Sequence, residues 1–137
     1  MFQKEFTVHT NGEGDVVNLS SQLAEVVRES GVGIGLATLF VSGSTAALTT
    51  IEYEPGVLDD LMRALNVIAP EGAPYAHDRA WGDGNGRSHV RAAIVGPSLS
   101  VPVRDGRPLL GTWQQPVLLE LDVRSSRTRT IVVTVVS

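Results

Sequence analysis

Apolar and polar residues alternate along the first ten positions, with Phe2, Lys4, Phe6 and Val8 on one parity and Gln3, Glu5, Thr7 and His9 on the other. A period of two predicts a strand, and the turn residues NGEG at 11–14 end it. The period then lengthens: Leu19, Leu23, Val26 and Val27 fall on one helical face, with Ser20 or Ser21 placed to cap the start and Gly31 beyond the end. Residues 33–42 form a short, nearly continuous apolar run, and 47–54 are rich in β-branched and aromatic residues, so both are expected as strands joined through SGST. After Pro55 and Gly56, the residues Val57, Leu58, Leu61, Met62, Leu65 and Ile68 recur at helical spacing, with Asp59 and Asp60 expected in the first turn and a stop near Pro70.

Residues 75–90, YAHDRAWGDGNGRSHV, break the pattern and are expected as a loop, followed by HVRAAIVG as a short helix or strand. The remainder divides into four strand-like runs: LSVPV, then PLLGTWQ across the RDG turn, then PVLLELDV, then TRTIVVTVV after RSSR. Strands and helices in mixed order, without regular βαβ alternation, predict an α+β fold: a mixed, mostly antiparallel, β-sandwich-like sheet with two main helices. At 137 residues, one domain over 1–137 is expected.

Composition narrows the chemistry. Eleven basic against 15 acidic side chains give a net charge of -4, which offers nucleic acid or an anionic membrane no general attraction. With no cysteine, disulfides, thiolate metal sites and cysteine nucleophiles are excluded. The alternating N-terminus has no secretory signal pattern, and the longest apolar run falls far short of the ~20 residues that cross a bilayer. A soluble, cytoplasmic protein is the expectation.

The polar stretch holds two of the three histidines, His77 and His89, with Asp78, Asp83 and Asn85 beside them and Arg79, Arg87 and Arg91 around them. Imidazoles ligate metals or shuttle protons, carboxylates orient imidazoles or ligate metal directly, and guanidinium groups clamp phosphate. The bland alternatives are solvated loop histidines, a salt-bridged arginine rim, and Asp-Gly and Asn-Gly pairs placed for tight turns. GDGNG is not a phosphate loop, because no Lys-Ser/Thr pair or amphipathic helix follows it in the required register. Ser44 and Thr45 in SGST supply hydroxyls for an anion cradle, but no nucleophile elbow surrounds Ser44. Glu52, in a strand otherwise headed for burial, needs a cationic or imidazole partner if it points inward. Trp113 follows a glycine in an expected strand, where a core or interface role is commoner than ligand stacking, and Gln114 beside it can hydrogen-bond a ligand or a neighbouring subunit.

Taken together, STAALTTIEYEPG, YAHD, GNGRSHV, GPSLSVPVRDGRPLLGTWQ and the closing RTRTIVV, in that order, resemble the YjbQ-like family, whose members are also labelled secondary thiamine-phosphate synthase enzymes. The resemblance implies a compact α+β fold, a homotrimer, and a histidine-rich pocket near the subunit interface, mapping here onto His77, His89 and Glu52 as catalytic candidates. His77 and His89 are its metal candidates for a divalent ion, zinc or magnesium. Ser44, Thr45, Asp78, Arg79, Asp83, Asn85, Arg87, Trp113 and Gln114 are its ligand-binding candidates. The implied partner is a small phosphorylated molecule or inorganic anion. Relatives often carry histidine at the positions of Gly43 and Arg87, and asparagine at that of Ile51, so the resemblance implies fewer imidazoles here and a shift from metal toward phosphate. An enzyme of the thiamine-phosphate type is the leading implication, and a non-catalytic, anion-binding trimer is the alternative.

Overall fold

The computed structural model describes residues Met1–Ser137. Eight strands and four helices follow in the order β1 (Phe2–Thr10), β2 (Val16–Asn18), α1 (Ser20–Ser30), β3 (Ile34–Val41), β4 (Ala46–Ile51), α2 (Pro55–Ile68), α3 (Ala76–Trp81), α4 (Gly86–Val95), β5 (Ser98–Arg104), β6 (Arg107–Pro108), β7 (Gln115–Glu120) and β8 (Arg127–Val136). They form a five-stranded sheet in the order β1-β8-β3-β5-β6 and a three-stranded sheet in the order β2-β7-β4. Every ladder is antiparallel, so the expected α+β sandwich is what forms.

Side-chain parity explains the layers. In β8, Arg129, Ile131, Val133 and Val135 are buried while Thr128 and its alternate neighbours face outward, the signature of a sheet packed on one side. In β7 every residue from Pro116 to Glu120 is buried, because the small sheet is covered on both faces. Leu48 and Leu118 look toward the large sheet and share a core with Leu39, Ile131 and Val133, and with Leu19, Leu23, Val26 and Val27 of α1. Ala47, Val117 and Leu119 look the other way, onto Leu65 of α2 and Ala92 of α4. Each fully buried Leu or Val contributes roughly 1.5–3 kcal/mol. No helix is long and apolar enough to cross a membrane.

Four local expectations are corrected. The cap of α1 comes from Asn18, whose Oδ1 accepts from Ser20 N at 2.9 Å, and not from Ser20 or Ser21. Helix α2 starts at Pro55, which moves Asp59 and Asp60 into its second turn, and Glu54 supplies the cap by accepting from Gly56 N and Val57 N, each at 2.8 Å. PLLGTWQ is not a strand: pairing ends with Pro108, and residues 109–114 run as irregular chain and turn, braced by side-chain bonds of Gln114 and Gln115. The stretch 75–90 is two helices, α3 and α4, hinged at Gly82 and Gly84, whose φ angles of 67° and 73° suit glycine. Glu54→Ala is expected to cost about 1 kcal/mol and lower Tm by about 3–5 °C in a calorimetric scan.

Candidate functional site

The α3–α4 hairpin is what gathers the histidines. The amide of Gly86 opens α4 by donating to Asp78 Oδ1 at 2.8 Å. The helices approach so closely that a Cβ at Gly86 would stand 2.4 Å from the Cβ of Tyr75. Twelve residues apart in sequence, His77 and His89 therefore face each other with ring centroids 4.5 Å apart and a tilt of 56°. His77 Nε2 lies 3.1 Å from Asp83 Oδ1 and 3.2 Å from Asp83 Oδ2. Asp83 Oδ1 also accepts from Asn85 N at 3.0 Å, and this amide, with His77 adding to it, holds the Asp83 carboxyl below the usual carboxylate range.

One ligand atom each from His77, Asp78 and Asp83 falls within 4.8 Å of the others. An imidazole with two carboxylates is a donor set that suits zinc or a related divalent ion. The structure thus surrounds His77, rather than the His77 and His89 pair alone, with metal-capable groups. His89 instead turns to the adjoining cleft.

That cleft, about 240 Å³, lies between the 43–45 turn and α4 and is lined by Gly43, Ser44, His89 and the alanines of α4. Behind Gly43, one of its lining residues, lies a buried charge. Arg129, only 2 % exposed, donates through Nε to Glu120 Oε1 at 2.8 Å and through Nη2 to Glu120 Oε2 and to Thr45 Oγ1, the latter at 2.8 Å. Its Nη1 makes no hydrogen bond within the chain, and a Cβ at Gly43 would stand 2.9 Å from it. A side chain at 43 would therefore press on this amino group.

Around this pair the polar groups are fully engaged. Thr10 Oγ1 donates to Glu120 at 2.6 Å, Thr45 Oγ1 donates to Asp122 at 2.9 Å, and Arg127 bonds Asp122 at 2.7 Å. Burial pushes the Glu120 carboxyl upward, but donation from Arg129, Thr10 and the Asp122 amide outweighs it, and the net shift is below the ordinary value. Asp122 behaves alike: burial raises it, and the Arg124 amide, Thr45 and Arg127 together pull it lower.

The remaining candidates divide. Ser44 lines the cleft. Thr45 and Asn85 are buried framework: Asn85 Oδ1 accepts from Ser88 Oγ at 2.9 Å and from Val123 N at 3.0 Å, tying α4 to the β7–β8 turn. Arg87 is spent on Glu13, through Nε and Nη2 at 2.8 Å each, which raises its pKa further and leaves it no free face for phosphate. Arg91 is buried against Ala69 O and Asn66. Arg79 sits exposed at the rim, bonded to Pro74 O. Glu52, Trp113 and Gln114 are not brought to the histidines. They lie beyond the other end of β4, whose length alone is roughly 17 Å at about 3.3 Å per residue. Trp113 is neither strand nor core; it is 74 % exposed.

Sequence reasoning missed Glu120, Asp122 and Arg129. Two signals point to them: Glu120 interrupts the apolar run of β7, and Arg129 shares the parity of Ile131, Val133 and Val135.

Fold and polar cluster define a small α+β protein of two facing antiparallel sheets whose helical layer carries paired histidines. The family described as UPF0047 protein YjbQ-like matches residues 4–137, and the chain belongs to it. A UPF0047 protein of Archaeoglobus fulgidus is 33% identical over 129 residues, covering 94% of this chain and 97% of that protein. The crystal structure of a hypothetical protein from Aeropyrum pernix K1 superposes with a TM-score of 0.89 at 29% identity, covering 100% of this chain and 99% of that one. A conserved hypothetical protein of Thermus thermophilus superposes at 0.83 with 30% identity, covering 97% of this chain and 99% of that one.

Proposed function

We propose that the chain binds a small phosphorylated molecule in the cleft between Gly43, Ser44 and His89, and acts on it as a secondary thiamine-phosphate synthase-type transferase. The observation that carries this reading is Arg129: a buried guanidinium whose one unbonded amino group lies against a glycine on the wall of a cleft with a hydroxyl and an imidazole. That combination recognises a phosphoryl oxygen. In the reaction, a pyrimidine carbon exchanges its bond to pyrophosphate for a bond to the thiazole nitrogen, so the negative charge leaving with pyrophosphate is what requires stabilisation. Arg129 and Ser44 hold the anion, His89 donates to a phosphate oxygen, and Asp83 orients His77. A divalent ion on His77, Asp78 and Asp83 would supply additional positive charge for the leaving group.

One observation favours the alternative of anion binding without chemistry: Glu52, the third catalytic candidate, stands at the far end of β4. Assembly of several copies is the route by which it would reach a histidine cluster. A homotrimer is part of this proposal, supported by the bare outer face of the large sheet, where Ile34, Leu36 and Phe40 are exposed apolar side chains. A monomeric mass by light scattering at micromolar concentration would remove that part.

The test of the site is phosphate binding, followed by 31P NMR and thermal shift. Gly43→Ala places a methyl against Arg129 Nη1 and is expected to weaken binding about tenfold or more, with His89→Ala similar. Unchanged binding in both variants overturns the site. Pyrophosphate release from the paired pyrimidine and thiazole substrates separates the enzyme from the binding protein.

A further inference from the structure

Four times in the chain glycine follows an asparagine or aspartate: Asn11-Gly12, Asp83-Gly84, Asn85-Gly86 and Asp105-Gly106. Such pairs suit turns, and they share a chemical weakness. Glycine has no side chain to shield its nitrogen, so that nitrogen can close on the side-chain carbonyl carbon of the preceding residue and form a five-membered imide. The reaction needs a good leaving group on that carbon, a side chain free to turn, and an amide N–H released from hydrogen bonding.

Three of the four pairs lack at least one of these. Asp83 and Asp105 are carboxylates, which lack the amide leaving group; Asp83 is also held by the Asn85 amide and His77, and Gly106 N donates to Gly33 O at 3.1 Å. Asn85 carries the leaving group but is buried, with Oδ1 accepting from Ser88 Oγ and Val123 N, while Gly86 N is committed to Asp78 Oδ1. Asn11-Gly12 meets all three. Asn11 is exposed, its carboxamide makes no hydrogen bond within the chain, and Gly12 N donates to no group of the chain. The rest of the turn is bonded: Asn11 N donates to Asp15 Oδ2 at 2.9 Å, Asp15 N to Gly12 O at 3.1 Å and Gly14 N to Glu120 O at 2.8 Å. The turn also lies beyond the apolar patch offered for assembly, since Phe40 and Glu5 flank Val132 of β8 whereas β1 ends further along, with Thr10 opposite Arg127.

We propose that Asn11-Gly12 is a site of self-modification in the folded chain. Gly12 N bonds to Asn11 Cγ, the Cγ–Nδ2 bond breaks, and ammonia leaves with the Gly12 proton. Water then opens the imide at either carbonyl, giving aspartate or, with the main chain rerouted through Cβ, isoaspartate. Nothing is oxidised or reduced. The isoaspartyl product reaches α4, because Glu13 of the same turn holds Arg87 at 2.8 Å and Arg91 at 3.5 Å, and an extra main-chain carbon ahead of Glu13 loosens that clamp.

The test is incubation of the folded chain in mildly alkaline water enriched in 18O, followed by peptide mass spectrometry with electron-transfer fragmentation to tell isoaspartate from aspartate. Labelled product is expected at Asn11 at least about tenfold faster than at Asn85, a ratio that collapses toward one in urea, where both pairs are free. Asn11→Gln, which would have to close a larger ring, should leave that peptide unlabelled. Equal rates at Asn11 and Asn85 in the folded chain, faster reaction at Asn85, or no reaction at Asn11 overturns the site. The isoaspartyl form, separated by ion exchange, should melt below Asn11→Asp, which carries the new charge without the extra carbon. Equal melting overturns the link to α4.

Discussion

Glu120→Ala is expected to destabilise the fold by about 3–5 kcal/mol, a large share of the roughly 5–15 kcal/mol that holds a domain together. The carboxylate is fully buried and accepts from Arg129, Thr10 and the Asp122 amide. Removing it leaves the guanidinium of Arg129 uncompensated between the two sheets. Urea denaturation followed by circular dichroism reads the loss directly, and a change below about 1 kcal/mol would refute the importance given to the pair. The double variant Glu120→Leu, Arg129→Met is expected to recover most of the stability, because buried pairs replaced by apolar side chains of similar volume are often neutral or better. That variant should also lose phosphate binding while folded, which separates the two roles assigned to Arg129.

Two carboxyls of the same buried cluster, Glu120 and Asp122, set the response to acid. The Glu120 and Asp122 carboxyls are depressed in the folded chain relative to their ordinary values of 4.5 and 3.8. A depressed folded pKa contributes stability that is complete above the unfolded value and is lost as pH falls through the folded one. Stability is therefore expected to hold at neutral pH, to begin falling near pH 4.5, and to fall further below the usual carboxylate range. The acid limb should flatten in the double variant, where one of the two carboxyls is gone.

Much of this architecture is visible in the amino-acid pattern, and the failures have physical causes. Strands β1 and β8 show in their alternation, and α1 in the spacing of Leu19, Leu23, Val26 and Val27, because one-sided burial prints its period onto the chain. The α3–α4 hairpin carries no such print. Helix α3 buries none of its six residues, and the buried positions of α4 include Gly86, Ser88 and Arg91, which a hydrophobic template does not register. The same blindness applies to the site. His77 and His89 were legible as candidates, since two of the three histidines fall in that one polar stretch beside Asp78 and Asp83. Glu120 and Arg129 look like interruptions of two strands until the sheets are stacked and the interruptions are found opposite each other. Arg87 misled in the opposite direction: its partner, Glu13, lies 74 residues away, and no local pattern discloses that it is already neutralised.

Gly86→Ala tests how far the site depends on this helix approach. The added methyl would meet Tyr75 Cβ at 2.4 Å and Tyr75 Cγ at 2.6 Å, closer than carbon atoms tolerate, and Tyr75 Cβ is fixed to the main chain. The helices must therefore separate, and the bond from Gly86 N to Asp78 is the first to stretch. Overpacking of this kind costs about 1–3 kcal/mol. The part of α4 that joins the hydrophobic core, Ala92 with Val95 against it, lies in its later turns, away from Gly86 at its start, so the sheets should remain intact. His77 rides on α3 and His89 on α4, so a displacement of about 1 Å moves the imidazoles apart, and misplacement on that scale costs on the order of 10²-fold in a positioned reaction. Gly86→Ala is thus expected to retain a cooperative unfolding transition while the proposed transferase activity and the proposed zinc binding at His77, Asp78 and Asp83 collapse together. Retention of both, with the helices still in contact, would mean that Tyr75 can yield and that the site does not depend on the glycine. Loss of the transition itself would show that the hairpin belongs to the folding core as well as to the site.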